Sequence, residues 1–252
     1  MGIGPGAADH LSARALAVLE AADVVVGYTT YVDLVRPLIR TRRVVATPMM
    51  KEVERVEAAL EAAGAGHRCA LISSGDPGIY AMAGLVFEIC ARRQVAVVGP
   101  DGDPVQGLRV EVVPGIPALC AGAALLGAPL THDFAVISLS DLLTPWTTIE
   151  TRLEAAARAD FVIVLYNPRS RRRTDHLPAA QRIVLRHRDG ATPTGVVTGA
   201  SRDHQRVTLV SLDRLHEAPV DMQTIVFIGS RASLQYRDFM VTPRGYARKY
   251  AI

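Results

Sequence analysis

Four short stretches hold the residues whose types and spacing could do chemistry. The first, MGIGPGAADHL, sets Gly2, Gly4 and Ala7 at the Gly-x-Gly-x-x-Gly/Ala spacing of a dinucleotide-binding turn. Such a turn follows a strand, opens a helix and cradles phosphate oxygens with backbone N–H groups. Pro5 sits inside this one and has no N–H to offer an anion, and only Met1 stands where the strand should be. The second stretch, SSGDPGIY, contains Gly75, Asp76 and Pro77; the third, VPGIPA, contains Pro117 and Ala118. The fourth, YNPRSRRR, joins Tyr166 and Asn167 to Arg169, Arg171, Arg172 and Arg173. Glycine and proline in all four let a backbone approach a ligand closely and hold a fixed turn.

Several chemistries fail on particulars. There is no G-x-x-x-x-G-K-[ST] loop, and the VVVGY segment that would close a dinucleotide site ends without the carboxylate that binds ribose hydroxyls, since Asp23 stands at its start. His10, His67, His132, His176, His187, His204 and His216 show no metal-ligand spacing with one another, so no protein-bound metal is expected. No G-x-S-x-G is present, and SSGD has no evident histidine partner. Cys69, Cys90 and Cys120 are odd in number and lack C-x-x-C spacing, which argues for packing residues in a reducing compartment. The arginine cluster reads either as a solvated loop or as a patch for a polyanionic ligand. A net charge of +3 is too mild to argue for nucleic acid by itself.

The elements that must position these loops follow from periodicity. HLSARALAVLEAAD, MKEVERVEAALEAAGAG and residues 79–91 have helical spacing, while DVVVGY and CALISS read as buried strands, followed by VAVV, a turn-rich insert and the strand RVEVVPG. Strands alternating with helices predict a parallel α/β sheet, with ligands beyond the carboxyl ends of its strands. GAPLTHD, after the small-residue helix ALCAGAALLGA, looks like a boundary, dividing the chain into residues 1–131 and 132–252. The second lobe reads FAVISLSD, TIETRLEAAARA, DFVIVLYNP, LPAAQRIVLRH, TGVVTG, RVTLVSL and QTIVFIGS, and its short later connections predict an antiparallel contribution. The final RDFMVTPRGYARKYAI is a polar tail that could return to the body. The composition, 49% hydrophobic and 21% charged, is that of a globular chain, and no apolar run approaches the roughly 20 residues of a membrane helix. Its glycine-rich, soon charged start is unlike a signal peptide, so a cytoplasmic protein is expected.

In chain order, GIGPG, SSGDPGIYAMAG, VPGIPA and GAPLTHD together resemble the tetrapyrrole methylases, which use S-adenosylmethionine to methylate corrin and sirohaem precursors. HDFAVISLSDLLTPW, ADFVIVLYNPRSRRR, PVDMQTIVFIGS and TPRGY are similar to the C-17 methyltransferase branch of cobalamin biosynthesis, and the resemblance covers nearly the whole chain. It implies two α/β lobes, the first a mostly parallel sheet and the second a mixed one, with the cofactor in the trough between them, in a homodimer. It also implies a corrin precursor as substrate, precorrin-3B or cobalt-factor III, methylated at C-17 with contraction of the macrocycle and release of S-adenosylhomocysteine. The oxygen-dependent and oxygen-independent routes stay open, although GYTTY, SSGDPGIY and TPRGY lean toward the cobalt-containing substrate.

By the same resemblance, Gly75, Asp76 and Pro77 meet the methionine end of the cofactor. Pro117, Ala118, Tyr166, Asn167, Gly195 and Thr224 complete its site. Pro117 departs from the Thr/Ser usual there, so a hydroxyl contact is missing. Met1 is a second departure, since a full strand is usual there; if the chain begins upstream, six or so apolar residues are expected to precede Met1 and complete that strand. S-adenosylmethionine has no phosphate, so Pro5 costs nothing, and Gly4, Pro5 and Gly6 are expected to wall the substrate. Arg169 and Arg171 suit the substrate's carboxylates. Ring contraction needs proton transfer, for which His132, Asp133, Ser140 and Asp141 are the polar candidates, although His132 and Asp133 would serve equally as linker caps. Two rivals remain. One is the uroporphyrinogen-III methyltransferase of the same fold, against which LYNPRSR speaks because a Tyr-Met pair is usual there. The other is a nucleotide- or nucleic-acid-binding module using the arginine loop.

Overall fold

Ser12 accepts the Ala15 N–H at 3.1 Å and so caps α1 (Ala13–Ala21), satisfying one of the donors a helix start leaves open. Ala15 and Leu19 face inward and pack with Val25 of β1 (Val24–Tyr28) and Val32 of α2 (Thr29–Val35). The chain continues through β2 (Val44–Thr47), α3 (Glu52–Gly64), β3 (Cys69–Leu71) and α4 (Met82–Arg92), then β4 (Val97–Val98) and β5 (Leu108–Arg109). β2, β1 and β3 form a parallel sheet in that order, with Val25 paired to both Val44 and Ala70. A central parallel strand is covered on both faces, which is why β1 is a continuous apolar run.

The opening residues take a strand's course beside this sheet. Ser73 donates to the Met1 carbonyl and Ile3 to the Ser73 carbonyl, both at 2.9 Å, and Gly2 donates to the Val113 carbonyl at 2.9 Å. RVEVVPG is less regular than its sequence suggests. Beyond Arg109 its backbone bonds among the described residues are Val110 N to Val98 O and Gly2 N to Val113 O, so it runs extended without a ladder. A cavity of about 780 Å³ lies beside it, lined by Val18, Ala59, Leu71 and Val110 among others.

The computed structural model describes residues 1–251 and resolves into two compact units, Met1–Ala118 and a second from Leu119 onward. The second unit begins before GAPLTHD because the small-residue helix belongs with it. Within α5 (Ala118–Leu126), a Cβ at Gly122 would lie 2.9 Å from the Phe227 ring, and Leu126 packs directly over Gly195. There follow β6 (Gly127–Ala128), β7 (Phe134–Ser138), α6 (Trp146–Arg158), β8 (Val162–Tyr166), α7 (His176–Leu185), β9 (Pro193–Thr198), β10 (Arg206–Ser211), β11 (Thr224–Ile228), β12 (Leu234–Tyr236) and β13 (Phe239–Val241).

Its main sheet has the order β10-β9-β11-β8-β7. β7 and β8 are parallel, while β11 is antiparallel to both β8 and β9, giving the mixed sheet expected. Ile149 and Leu153 of α6 and Leu177 and Val184 of α7 pack over it with Ile163, Leu165 and Val226. The tail is not merely polar: β13 pairs with β12 and with β6, burying Met240 and Thr242 completely. Arg188, buried at the amino end of β8, donates to the carbonyls of Ala157 (2.7 Å), Phe161 (2.9 Å) and Gly229 (3.3 Å) and pairs with Asp160 at 2.6 Å. Among the described residues no helix is long and apolar enough to cross a membrane.

Candidate active site

In the first unit, three glycine-bearing loops meet backbone to backbone. Gly4 and Gly75 exchange both main-chain hydrogen bonds, at 3.2 and 2.7 Å. A Cβ at Gly2 would come within 2.4 Å of the Gly75 carbonyl oxygen, and one at Gly115 within 2.3 Å of the same atom. No side chain fits there, so the glycines are required by close approach. Asp76 ties the arrangement together: Oδ1 accepts the Gly78 N–H at 2.8 Å and Oδ2 accepts the Gly115 N–H at 3.1 Å. Pro117 Cα lies 3.5 Å from where a Gly75 Cβ would stand. Gly4 and Pro5 are buried and Gly6 is half-buried. Next to them Ser73 is buried, and its Oγ has no hydrogen-bond partner.

The GDP loop follows the carboxyl end of β3, the usual ligand edge of a parallel sheet, and the other two loops meet it there. They present carbonyl oxygens, a carboxylate and an orphaned hydroxyl. That set suits a ligand bearing an ammonium group or sugar hydroxyls, and it suits a phosphate poorly. Burial also pushes the Met1 ammonium down to about 6, with Asp76 opposing the shift; the ammonium donates to the Leu71 carbonyl at 2.6 Å.

In the second unit, β7 and β8 deliver their carboxyl ends side by side, and the connections after both strands interlock. Tyr166 closes β8, and its hydroxyl accepts the Leu119 N–H at 3.0 Å, capping α5. Asn167 follows in the left-handed region at φ 53°, a conformation asparagine tolerates better than most residues. From there its Nδ2 donates to Ser138 Oγ at 2.9 Å, and the same oxygen accepts the Ser140 N–H at 3.2 Å. Arg173 Nη2 donates to the Asn167 carbonyl at 3.1 Å. Asp141 stands with Oδ2 3.0 Å from His176 Nε2 and Oδ1 3.8 Å from Arg173 Nη1, and the His176 ring packs edge-on against Trp146 at 4.3 Å.

The residues singled out from sequence are therefore divided. Ser140, Asp141, Tyr166 and Asn167 share the carboxyl edge of β7 and β8. His132 and Asp133 do not join them: they are exposed at the opposite end of β7, a five-residue strand about 16 Å long. There His132 Nδ1 accepts the Asp133 N–H at 2.8 Å. Thr224 lies on the Asn167 edge, but its hydroxyl already bonds Thr198 Oγ1 (2.7 Å), the Asp221 N–H (3.0 Å) and Asp221 Oδ1 (2.9 Å). Gly195 sits mid-strand, paired with Phe227 beneath Leu126. Arg169 and Arg171 are exposed. Sequence reasoning does not single out Ser138, Trp146, Arg173 or His176 as a group. The available signal was that both flanking loops follow parallel neighbours. Among the described residues no three His, Cys, Asp or Glu side chains gather as a metal site requires.

Comparison with known proteins adds identity to this geometry. Residues 1–216 match the family model described as Tetrapyrrole (Corrin/Porphyrin) Methylases. The chain is 46% identical over 246 residues to the probable cobalt-factor III C(17)-methyltransferase of Salmonella typhimurium, covering 98% of each. It spans about half the length of two other curated relatives, 45% of one and 53% of the other. The crystal structure of the methyltransferase CobJ superposes with a TM-score of 0.83 at 33% identity, covering 96% of this chain and 97% of that one. The uroporphyrin-III C-methyl transferase from Thermus thermophilus, complexed with S-adenyl homocysteine, superposes with a TM-score of 0.67 at 25% identity, covering 91% and 95%.

Proposed function

The chain belongs to the tetrapyrrole (corrin/porphyrin) methylases, and from that premise we propose that it is an S-adenosylmethionine-dependent C-methyltransferase acting on cobalt-factor III or precorrin-3B at C-17, with ring contraction. The observation that carries the reading is the 46% identity with a probable cobalt-factor III C(17)-methyltransferase over 98% of both chains. The donor assignment is supported by S-adenyl homocysteine in the Thermus thermophilus relative. S-adenosylmethionine supplies a methyl group already activated on a cationic sulfur. The protein's part is to align that methyl with the nucleophilic carbon and to exclude water.

In the first unit, Gly75, Asp76, Pro77, Pro117 and Ala118 are the proposed cofactor contacts, and Gly4, Pro5 and Gly6 the substrate-facing wall. The acceptors there fit the donor's ammonium and ribose hydroxyls, and the Ser73 hydroxyl lacks a partner. In the second unit, Tyr166 and Asn167 are proposed cofactor contacts, with Gly195 and Thr224 shaping the wall behind them. Arg169 and Arg171 are proposed to hold substrate carboxylates. His132, Asp133, Ser140 and Asp141 remain the proposed proton-transfer candidates, and the placement of Ser140 and Asp141 at the strand edge favours those two. We read the protein further as a cytoplasmic homodimer, for which sedimentation of the purified chain is the direct check.

The test offers purified protein S-adenosylhomocysteine by calorimetry, then cobalt-factor III, precorrin-3B and uroporphyrinogen III with labelled donor under anaerobic conditions. Micromolar binding and turnover of a corrin precursor are expected. Turnover of uroporphyrinogen III alone would sink the reading.

A further inference from the structure

At the carboxyl edge of β7 and β8, Asp141 is a reachable acid that stands against an arginine and a histidine. Asp141 follows β7, Arg173 lies in the connection after β8, and His176 is the first residue of α7. Because β7 and β8 are parallel neighbours, both connections leave the sheet on one edge. The side chain of Asp141 is 43% exposed, whereas those of Arg173 and His176 are 13% and 19% exposed. The carboxylate is therefore the more accessible of the three, with the guanidinium and the imidazole less exposed beside it.

Both partners are fixed from other directions. Arg173 is tied to the Asn167 carbonyl through Nη2, and its backbone N–H donates to Ser170 Oγ at 3.1 Å. His176 is wedged against Trp146. Their grip on Asp141 is nonetheless loose. His176 Nε2 is within 3.0 Å of the carboxylate but off the hydrogen-bond line, and buried Arg173 Nε has no hydrogen-bond partner. Catalytic contacts are often long or poorly aligned before substrate arrives.

We propose that Asp141 accepts the proton released during methyl transfer and that Arg173 and His176 are its positioning residues, an assignment that rests on the methyltransferase reading. The balance is simple. The substrate carbon's electron pair forms the new C–C bond, the C–S bond breaks with its pair going to sulfur, and one proton leaves the substrate for the carboxylate. Arg173 and His176 are the charged or titratable groups within ion-pair reach of Asp141 among the described residues. Asp175, beside them, is bonded to the Thr174 hydroxyl instead, and Arg169, Arg171 and Arg172 are exposed.

The experiment uses the full chain with labelled donor and the corrin precursor it turns over. Asp141→Asn is expected to lower kcat by roughly a hundredfold or more, with KM and S-adenosylhomocysteine affinity within about twofold of the parent. Asp141→Gly is expected to recover at least about tenfold on adding formate, which can stand in for the lost carboxylate. Arg173→Gln and His176→Asn are expected to lower kcat about tenfold, and Arg173→Lys to regain most of the loss. An unchanged kcat in Asp141→Asn, no response to formate, or equal loss of cofactor affinity and activity overturns the proposal. A parent chain that turns over no tetrapyrrole defeats the methyltransferase reading itself, and this inference with it; insensitive variants of an active parent defeat this inference alone.

Discussion

Gly4 donates its N–H to the Gly75 carbonyl at 3.2 Å and accepts the Gly75 N–H at 2.7 Å, so the opening loop is bound to the GDP loop by a reciprocal pair of backbone bonds. Gly2 and Gly115 crowd the same carbonyl. The glycines that look like a phosphate loop in the sequence are therefore spent largely on holding backbones together. Gly115→Ala would bring a methyl within 2.3 Å of a main-chain oxygen that cannot swing aside. A loss of about 1–3 kcal/mol is expected from the denaturation midpoint. Gly64→Ala, in α3 with nothing within 4 Å, is the matched control and should be neutral or slightly stabilising.

Arg188 tests the opposite end of the second sheet. Arg188→Met would strand three carbonyls and leave Asp160 without its buried partner, although the Arg231 N–H would still reach Asp160 at 3.0 Å. A cost of roughly 3–5 kcal/mol is expected in urea titration. Because Arg188 lies at the amino end of β8, cofactor affinity of the protein that remains folded should be unchanged.

The thiols should differ sharply in reactivity. Burial pushes Cys69 up to about 11, with the nearby Met1 ammonium opposing, and burial also raises Cys90. A raised thiol pKa keeps the group protonated, so near pH 8 roughly a thousandth of Cys69 is the reactive thiolate. Cys120 is exposed. One thiol should react quickly with a disulfide reagent in the native protein and the other two only after unfolding, with Cys69 gaining reactivity as pH rises toward 11.

Arg169 and Arg171 should affect substrate alone. Both are exposed, so each carboxylate contact is screened. Alanine at either position is expected to raise KM for the tetrapyrrole roughly two- to fivefold, with S-adenosylhomocysteine affinity unaltered in calorimetry.

Much of the fold was legible because local pattern and burial agree. β1, β8 and β11 are central strands, and their unbroken apolar runs announce it. RVEVVPG read as a full strand because periodicity reports burial and is blind to whether a ladder partner exists. The tail read as polar because β13 has only three residues, and its pairing with β6 comes from far along the chain. In the site, GDP and YNP were visible as turn chemistry at strand ends. His132 and Asp133 looked close to Ser140 and Asp141 in the chain, but an extended strand separates them. His176 had no such signal, since its partner Asp141 is brought to it only by the parallel pairing of β7 with β8.

The central claim is most directly tested by incubating the chain anaerobically with cobalt-factor III and donor carrying an isotope-labelled methyl, then locating the label in the product by NMR. The account predicts one labelled methyl at C-17 of a contracted macrocycle. A label at another ring carbon, or label accepted only by uroporphyrinogen III, would contradict it.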